Sequence, residues 1–392
     1  MSNDNTLLYN KYRPNKLSEV VGHSATVKDL QKRSKEGNLP RVIFLSGITG
    51  TGKTTLQRII AKNILCLNKD KEGNSCNVCE ICSSIIEEKI TNYYFEINCS
   101  NVNIDESRQI AENASVKSFS NAKAKVFVLD EAQELKKSQA AMNNLLKPIE
   151  KDYKNVYFIF GAMDDKSVPK AIVGRCTTYK LKPHNMEDIA TKLADICQKE
   201  SVILDTEEKA NVLLTISENS GGSLRQAISY LERVIYSELW TTKQAIEELG
   251  IVSSSELNLK INALFKGKPE AFDITYNEEL LTSIRYMFST MYKKLSGIEV
   301  EEWQVKKLMG IDKTITLEQV EYALGKIFEL NKFPYVNQEM IDFILVDIFN
   351  YNKRYINQLV EMKIDSYRTQ STTLNKSTES KQAEPVRRRG QA

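Results

Sequence analysis

The stretch Val42–Leu56, VIFLSGITGTGKTTL, carries glycine, lysine and threonine at the spacing of a phosphate-binding loop. It matches G-x-x-x-x-G-K-[ST], with an apolar run before it and a helix-like run after it. Glycines let the backbone bend until its N–H groups point at phosphate oxygens, and the following helix N-terminus adds a positive dipole end. The stretch therefore predicts a nucleoside triphosphate site.

Within this loop, Lys53 is expected to reach the β- and γ-phosphates, and the Thr54 hydroxyl to ligate Mg²⁺. The loop residues predicted to bind nucleotide are Gly47, Ile48, Thr49, Gly50, Thr51, Gly52, Lys53, Thr54 and Thr55.

A second stretch, KVFVLDEAQ over residues 125–133, places an acidic pair at the end of an apolar run. Alone, such a pair also occurs in surface turns. Downstream of a phosphate loop it predicts a hydrolytic site, in which Asp130 orients the water shell of Mg²⁺ and Glu131 polarises the attacking water.

Four of the seven cysteines, Cys66, Cys76, Cys79 and Cys82, lie close together in sequence. The x₂ spacings and the nearby fourth thiol are typical of a tetrahedral zinc site, and four thiolates leave no open position for water. The cluster thus predicts a structural zinc. Two alternatives stay open: free cysteines in a loop, or an iron–sulfur cluster, because thiolates alone do not select the metal.

Short apolar runs alternate with helical patterns in the first half of the chain, which predicts an α/β fold with a parallel sheet covered on both faces. The nucleotide should then lie at the carboxyl edge of the strands. A helix is predicted over 24–35 with Ser24 as its N-cap. From Pro183 onward the pattern is helical only. The predicted strands are 42–45, 95–99, 126–129, 156–161 and 177–181.

Bulk composition excludes some classes of protein. The chain has 392 residues, 41% hydrophobic and 27% charged, which is typical of a globular protein of two or three domains. It shows no membrane-length apolar run and no signal-peptide core at its start, so we expect a cytoplasmic protein. The net charge of +3 equals the balance within residues 369–392, so a nucleic-acid surface would have to be a local patch.

These motifs, in this order, resemble the gamma/tau subunit of the bacterial DNA polymerase III clamp loader, an AAA+ ATPase. The resemblance covers about residues 9–235, and the cysteine module directly behind the phosphate-loop helix is its most specific element. The arm KYRPNKLSEVVGH resembles the family segment that wraps the adenine, which implies that Tyr12, Arg13 and Pro14 lie at the nucleotide.

The same resemblance implies roles for two arginines. Arg175, in Gly-Arg-Cys, stands where the family has Ser-Arg-Cys, which implies a finger that acts on the ATP of a neighbouring subunit. Arg225, in GSLR, matches the sensor-2 arginine, which implies contact with the γ-phosphate. A guanidinium in such a position stabilises charge on the transferring phosphoryl group. Without the family context, a surface ion pair would be the favoured interpretation of either arginine.

The resemblance implies a domain plan and a function, which is to open a sliding clamp and load it onto primer–template DNA with ATP hydrolysed at subunit interfaces. Residues 1–181 would form the AAA+ ATPase domain with its zinc module over 66–82, 182–250 a helical lid, 251–366 an all-α oligomerisation collar, and 367–392 a disordered tail. The cofactors would be ATP, Mg²⁺ and Zn²⁺. The partners would be other loader subunits in a hetero-oligomer, expected to be a pentamer, a sliding clamp, and primer–template DNA, for which Arg108 is the candidate contact.

Several positions depart from the family pattern. Ala162 and Met163 replace the threonines of sensor 1, and neither side chain can hydrogen-bond the attacking water. This predicts either slower hydrolysis or a substitute group elsewhere. Gly174 replaces serine beside the finger, and His23 replaces glutamine. The divergence and the Lys/Asn/Ile-rich composition favour a phage-encoded or AT-rich-genome version. The alternatives are another AAA+ DNA motor, for branch migration or helicase loading, and an assembly subunit that binds ATP with little hydrolysis.

Overall fold

The computed structural model describes residues 7–89, 91–116, 122–151, 153–251, 254–272, 278–300, 305, 308–330 and 337–379. For residues 363–379 it describes the backbone alone. The chain divides into two compact units, Met1–Gly250 and Ile251–Ala392. None of the helices in the described ranges is long and apolar enough to span a bilayer.

The first unit is built on five parallel strands, in the order β2-β3-β4-β1-β5. The α/β fold class and its parallel sheet are therefore confirmed. The strands are β1 Val42–Ser46, β2 Tyr94–Asn98, β3 Lys125–Asp130, β4 Val156–Ala162 and β5 Thr177–Lys180.

Strand register brings the two chemical motifs to one edge of this sheet. Ser46, the last residue of β1, pairs with Ala162 of β4, and Phe160 of β4 pairs with Leu129 of β3. Because all strands are parallel, the loop after β1 and the acidic end of β3 both lie at the carboxyl edge, one strand apart.

Helices cover both faces of the sheet, which explains why the strands are apolar throughout. The helices around the sheet are α1 Leu8–Lys11, α2 Ser24–Glu36, α3 Lys53–Leu65, α4 Glu80–Ile86, α5 Ile104–Ser115, α6 Gln139–Glu150 and α7 Lys170–Val173. Alternate residues of a strand point to opposite faces: Ile43 and Leu45 pack with α2 and α3 residues, and Val42 and Phe44 with α5 and α6 residues.

The N-cap prediction for α2 is wrong. Ser24 is the first helical residue, and His23 occupies the N-cap position with a φ of 50°, in the left-handed region. Its ring is hydrogen-bonded to the backbone of Thr51 instead.

Four helices complete the first unit: α8 Met186–Lys199, α9 Glu207–Asn219, α10 Leu224–Tyr236 and α11 Thr242–Leu249. Each begins with a side-chain cap of the type that satisfies free backbone N–H groups. The capping residues are Asn185, Thr206, Ser223 and Thr241.

In its described residues the second unit consists of helices joined by turns and irregular segments, and its apolar core includes Phe265 and Phe288 in edge-to-face contact. Its helices of eight residues or more are α12 Ser254–Phe265, α13 Glu278–Leu295, α14 Leu317–Glu329 and α15 Gln338–Glu379. The finer division of the chain into ATPase domain, lid and collar stays a prediction.

The predicted disorder from residue 367 differs from the structure, in which the backbone of α15 is helical through Glu379. Extending an existing helix adds one hydrogen bond per residue without a new nucleation cost, so polar composition does not by itself end it. The remaining tail, with Arg387–Arg389, lies outside the described residues.

Candidate functional site

A cleft of about 300 Å³ opens at the carboxyl edge of the sheet, within the first unit. It brings together the arm before α2, the loop after β1, the end of β3 and the start of α10. The predicted residues that line it are Tyr12, Arg13, Pro14, Thr49, Gly50, Thr51, Gly52, Lys53, Thr54, Thr55, Asp130, Glu131 and Arg225.

Lys53 is the first residue of α3, behind Gly52 in a left-handed conformation with φ of 93°. Its Nζ donates hydrogen bonds to the carbonyl oxygens of Gly47 at 2.7 Å and Ile48 at 3.1 Å. Those two loop residues are not among the lining residues, and their carbonyls hold the lysine in place. Burial lowers the pKa of Lys53, and the carboxylates of Asp130 and Glu131 oppose that shift.

The two predicted magnesium residues touch each other. Thr54 Oγ1 donates to Asp130 Oδ2 at 2.7 Å, and the Glu131 N–H donates to Asp130 Oδ1 at 3.0 Å. Hard oxygen donors from a hydroxyl and a carboxylate side by side suit Mg²⁺, which binds through few protein ligands plus water and phosphate.

Glu131 has a φ of 54°, which is uncommon for a residue with a side chain. Gln133 donates a side-chain hydrogen bond to its carboxylate. Backbone strain of this type concentrates at functional sites, where the surrounding structure fixes it. Glu131 lines the cleft together with Asp130.

The arm is held at the cleft by contacts with the C-terminal end of α8. The Tyr12 hydroxyl donates to Glu200 Oε1 at 2.6 Å, and Lys11 forms an ion pair with the same carboxylate at 2.7 Å. Burial and this hydrogen bond raise the pKa of Tyr12, so it stays protonated. The contact anchors the arm to the helix that follows β5.

Three guanidinium groups converge on the cleft. Burial lowers the pKa of Arg13, and the nearby positive charges of Arg58 and Arg225 lower it further. The Arg225 guanidinium also lies over the ring of Tyr9, 5.4 Å from its centroid. Arg58 forms ion pairs with Glu88 at 2.5 Å and Glu96 at 2.6 Å. Arg13 and Arg225 are therefore the two cleft guanidinium groups that favour a polyanionic ligand, for which a guanidinium is a strong hydrogen-bond donor.

Arg175 does not line this cleft. It lies on a separate shallow surface, where it pairs with Glu150 at 2.6 Å and donates to the carbonyl oxygen of Ala171 at 2.6 Å. Arg108 is exposed on α5 and pairs with Asp105. The structure thus brings together the predicted nucleotide residues but leaves these two arginines elsewhere.

The sensor-1 positions offer no side-chain hydrogen-bond donor. Ala162 is fully buried, and its carbonyl oxygen accepts from the N–H of Gly47 at 3.1 Å. Met163 is 47% exposed. Ala162 therefore supports the phosphate loop through its backbone, and neither side chain can orient a water.

Sequence reasoning missed several residues of the cleft: Tyr9, Arg58, His184 and Lys192. His23 donates from Nε2 to the carbonyl oxygen of Thr51 at 3.0 Å, and its ring lies against that of His184 with centroids 4.8 Å apart. Burial lowers the pKa of His184 to about 4. The chain has only two histidines, 161 positions apart, and nothing in their spacing signals that they meet.

The four clustered cysteines also converge. Their Sγ atoms all lie within 4.8 Å of one another, with Cys66 and Cys76 at 3.6 Å. A tetrahedron with Zn–S bonds of about 2.3 Å has edges of about 3.8 Å, so the thiols fit a zinc ion. Backbone N–H groups of Cys76 and Cys79 donate to the sulfurs of Cys66 and Cys76, both at 3.3 Å, as expected for second-sphere support.

Comparison with known proteins adds to this geometry. Residues 22–185 match the family model described as DNA polymerase III, delta subunit. The DNA polymerase III subunit gamma of Buchnera aphidicola subsp. Schizaphis graminum is 30% identical over 302 residues, which are 76% of either chain. The gamma/tau subunit of Mycoplasma genitalium is 30% identical over 369 residues, 90% of this chain and 60% of that protein.

The gamma/tau subunit of Mycoplasma pneumoniae is 34% identical over 229 residues, 58% of this chain. The matched residues span about a third of that relative and 60% of the M. genitalium protein. Among solved structures, the Thermotoga maritima RuvB Holliday junction branch migration motor matches 83% of this chain and 99% of its own, at 16% identity and a TM-score of 0.43.

Proposed function

This chain belongs to the DNA polymerase III gamma subunit family, and from that premise we propose that it is an ATP-hydrolysing subunit of a clamp loader. In this role it opens a ring-shaped sliding clamp and loads it onto primer–template DNA. The observation that carries the proposal is the hydrogen bond from Thr54 to Asp130 beside Lys53 and Glu131, since this is the set of groups that phosphoryl transfer needs.

The side chains at the two sites indicate which cofactors would bind there. ATP fits the cleft with its phosphates at Lys53 and Arg225 and its base toward the arm. Mg²⁺ takes Thr54 and Asp130 as its protein oxygens. Zn²⁺ takes the four thiolates, which supports a structural role rather than a catalytic one, because no coordination position stays open.

Arg175 supports a site shared between subunits. It is remote from the cleft of its own chain and half exposed, with 42% of its side chain accessible. An arginine supplied in trans stabilises charge on the γ-phosphoryl group only when a neighbour docks, so hydrolysis then depends on assembly.

The partners of the proposal are the remaining loader subunits in a pentameric hetero-oligomer, the clamp, and primer–template DNA in the bacterial or phage-infected cytoplasm. DNA would be held through its backbone, independently of sequence, so binding should weaken as salt rises. Arg108 stays the candidate contact.

The test is ATP turnover by the full chain assembled with its partner subunits, clamp and primer–template DNA. Lys53→Ala should abolish the stimulated turnover, because it removes the cation at the phosphates. Lys180→Ala, an exposed lysine paired with Asp165, is the matched control and should keep it. Stimulated turnover that is unchanged in Lys53→Ala would refute the proposal, and ATP-driven strand unwinding or branch migration would favour a DNA motor.

Arg175→Ala tests the shared site separately. Because Arg175 lies outside the cleft, the isolated variant should bind ATP as the wild type does, while the assembled complex loses hydrolysis. Loss of ATP binding by the isolated variant would contradict action in trans.

A second candidate function is an assembly subunit that binds ATP and hardly hydrolyses it. Ala162 and Met163 favour it, since neither side chain can hydrogen-bond a water. Single-turnover hydrolysis in the complete complex distinguishes the two. A rate no faster than that of the Glu131→Gln complex would select the assembly role.

A further inference from the structure

Lys62 is a buried cation with an unusual set of partners. It lies on α3, one turn before Cys66, and only 1% of it is exposed. Its Nζ donates to Asn15 O at 3.1 Å, Asn15 Oδ1 at 2.9 Å and Asn77 Oδ1 at 2.9 Å. An ammonium has three donors, and here each has one acceptor.

All three acceptors are neutral amide oxygens. Burial of a charge is costly unless its hydrogen bonds are well made, so the position of Lys62 depends on both asparagines staying in place. An apolar side chain would fill the same volume without this demand. The arrangement therefore ties together the two loops that supply the acceptors.

One of these loops is the nucleotide arm. Asn15 directly follows Pro14, which lines the cleft with Tyr12 and Arg13. The Asn15 amide group donates to Arg13 O at 3.4 Å, and the Asn15 backbone N–H donates to Glu19 Oε2 at 2.7 Å. A shift of Asn15 would consequently move the part of the arm that faces the nucleotide.

The other loop belongs to the cysteine module. Asn77 lies between Cys76 and Cys79 with a φ of 60°, and its Oδ1 also accepts from the Ser75 hydroxyl at 3.1 Å. Asn63, next to Lys62 on α3, accepts from the Ser75 N–H at 2.9 Å. A metal that joins the four thiolates would fix this loop and with it the acceptor on Asn77.

We infer that Lys62 couples the cysteine-bound metal to the nucleotide arm, so that zinc at the module and ATP in the cleft each strengthen the binding of the other. Lys62 is a positioning residue in this scheme and touches neither ligand. The inference rests on the proposed function in one respect, that the cleft binds ATP. Coupling between two sites is reciprocal, so either ligand can report it.

The experiment measures zinc retention by the full chain at equilibrium with a competing chelator, with and without ATP. In the wild type ATP should raise the apparent zinc affinity by about fivefold or more, the lower end of common coupling factors. Lys53→Ala, which should not bind ATP, controls for zinc taken up by ATP itself.

In Lys62→Met the effect of ATP on zinc should vanish while each ligand still binds. Lys125→Met is the matched control, because Lys125 is also a buried lysine and its Nζ donates to the backbone carbonyls of Asn113 and Val116, both at 2.8 Å. That variant should keep the coupling. Should Lys62→Met not fold, Asn77→Gly replaces it, since glycine accepts the left-handed conformation and removes only the acceptor.

Three outcomes overturn the inference: no effect of ATP on zinc in a wild type that binds ATP, full coupling in Lys62→Met or Asn77→Gly, or equal loss in Lys125→Met. A wild type that binds no ATP refutes the proposed function instead, so the two failures are distinguishable.

Discussion

The Thr54 hydroxyl donates a 2.7 Å hydrogen bond to the carboxylate of Asp130, although 76 residues separate them in sequence. The bond crosses from the start of α3 to the end of β3, over the intervening strand β4. It joins the residue that follows the phosphate-loop lysine to the acidic strand end, and so forms the point where Mg²⁺ would bind.

Asp130→Asn should weaken Mg²⁺ activation of ATP hydrolysis by about 10- to 100-fold, the usual effect of losing a group that supports a metal. ATP binding should change less, because Lys53 and the loop stay intact. A magnesium titration of turnover measures this. Asp165→Asn, an exposed carboxylate paired with Lys180, is the control and should leave the titration unchanged. An equal shift in both variants would contradict the magnesium role.

Gly50→Ala should destabilise the first unit and weaken ATP binding. Gly50 has a φ of 81°, and a Cβ there would overlap the hydroxyl of Ser223, the N-cap of α10. Gly37→Ala is the matched control, with a φ of 70° and no atom within 4 Å of a Cβ, so it should cost only the left-handed strain of about 1–2 kcal/mol. Thermal unfolding should show a larger decrease in unfolding temperature for Gly50→Ala than for Gly37→Ala.

In the Gly50→Ala background, Ser223→Gly should recover part of the lost stability, since it removes the overlapping atom and glycine is a tolerable N-cap. Equal unfolding temperatures for Gly50→Ala and Gly37→Ala would show that the contact between the loop and α10 contributes nothing.

Stability should fall as pH drops from about 6.5 to about 4, in part because of His184. Burial lowers its folded pKa to about 4, so over this range the unfolded chain binds a proton that the folded chain does not. Protonation of this group lowers the free energy of unfolding by at most about 3 kcal/mol. At pH values above the unfolded pKa there is no such loss. His184→Leu should flatten that part of the profile, measured by denaturant unfolding at a series of pH values. Parallel profiles for wild type and variant would exclude His184 as a cause.

Cys76→Ser should reduce bound zinc from one ion per chain to none and lower the unfolding temperature, because one of four thiolates is lost. Cys176→Ser, a thiol outside the cluster that donates to Ile172 O, should retain one zinc. Elemental analysis of both purified proteins measures this. Iron with inorganic sulfide in the wild type would select the iron–sulfur alternative, and no metal at all would leave free cysteines.

The sequence by itself determined the sheet and the motifs of the candidate site. Apolar runs of strand length, such as Val42–Leu45, identify strands because a strand buried on both faces has no polar positions. The phosphate loop, the Asp130-Glu131 pair and the cysteine spacing were recognisable because each motif is local, with its residue types set by the group it holds.

Only the tertiary structure decided which distant residues share the cleft. Arg58 and His184 line it, although nothing in the spacing of either residue signals a place beside the phosphate loop. The contacts behind the cleft, between His23 and His184 and between Lys62 and the asparagines Asn15 and Asn77, likewise join segments that no spacing relates. The prediction that Ser24 is the N-cap of α2 was wrong. His23 takes that position in a left-handed conformation, and its ring is hydrogen-bonded to Thr51 of the loop. The fold holds Arg175 against Glu150, outside the cleft. The role that its motif suggests at the phosphate of a neighbouring subunit stays a prediction, because one chain by itself cannot form contacts between subunits.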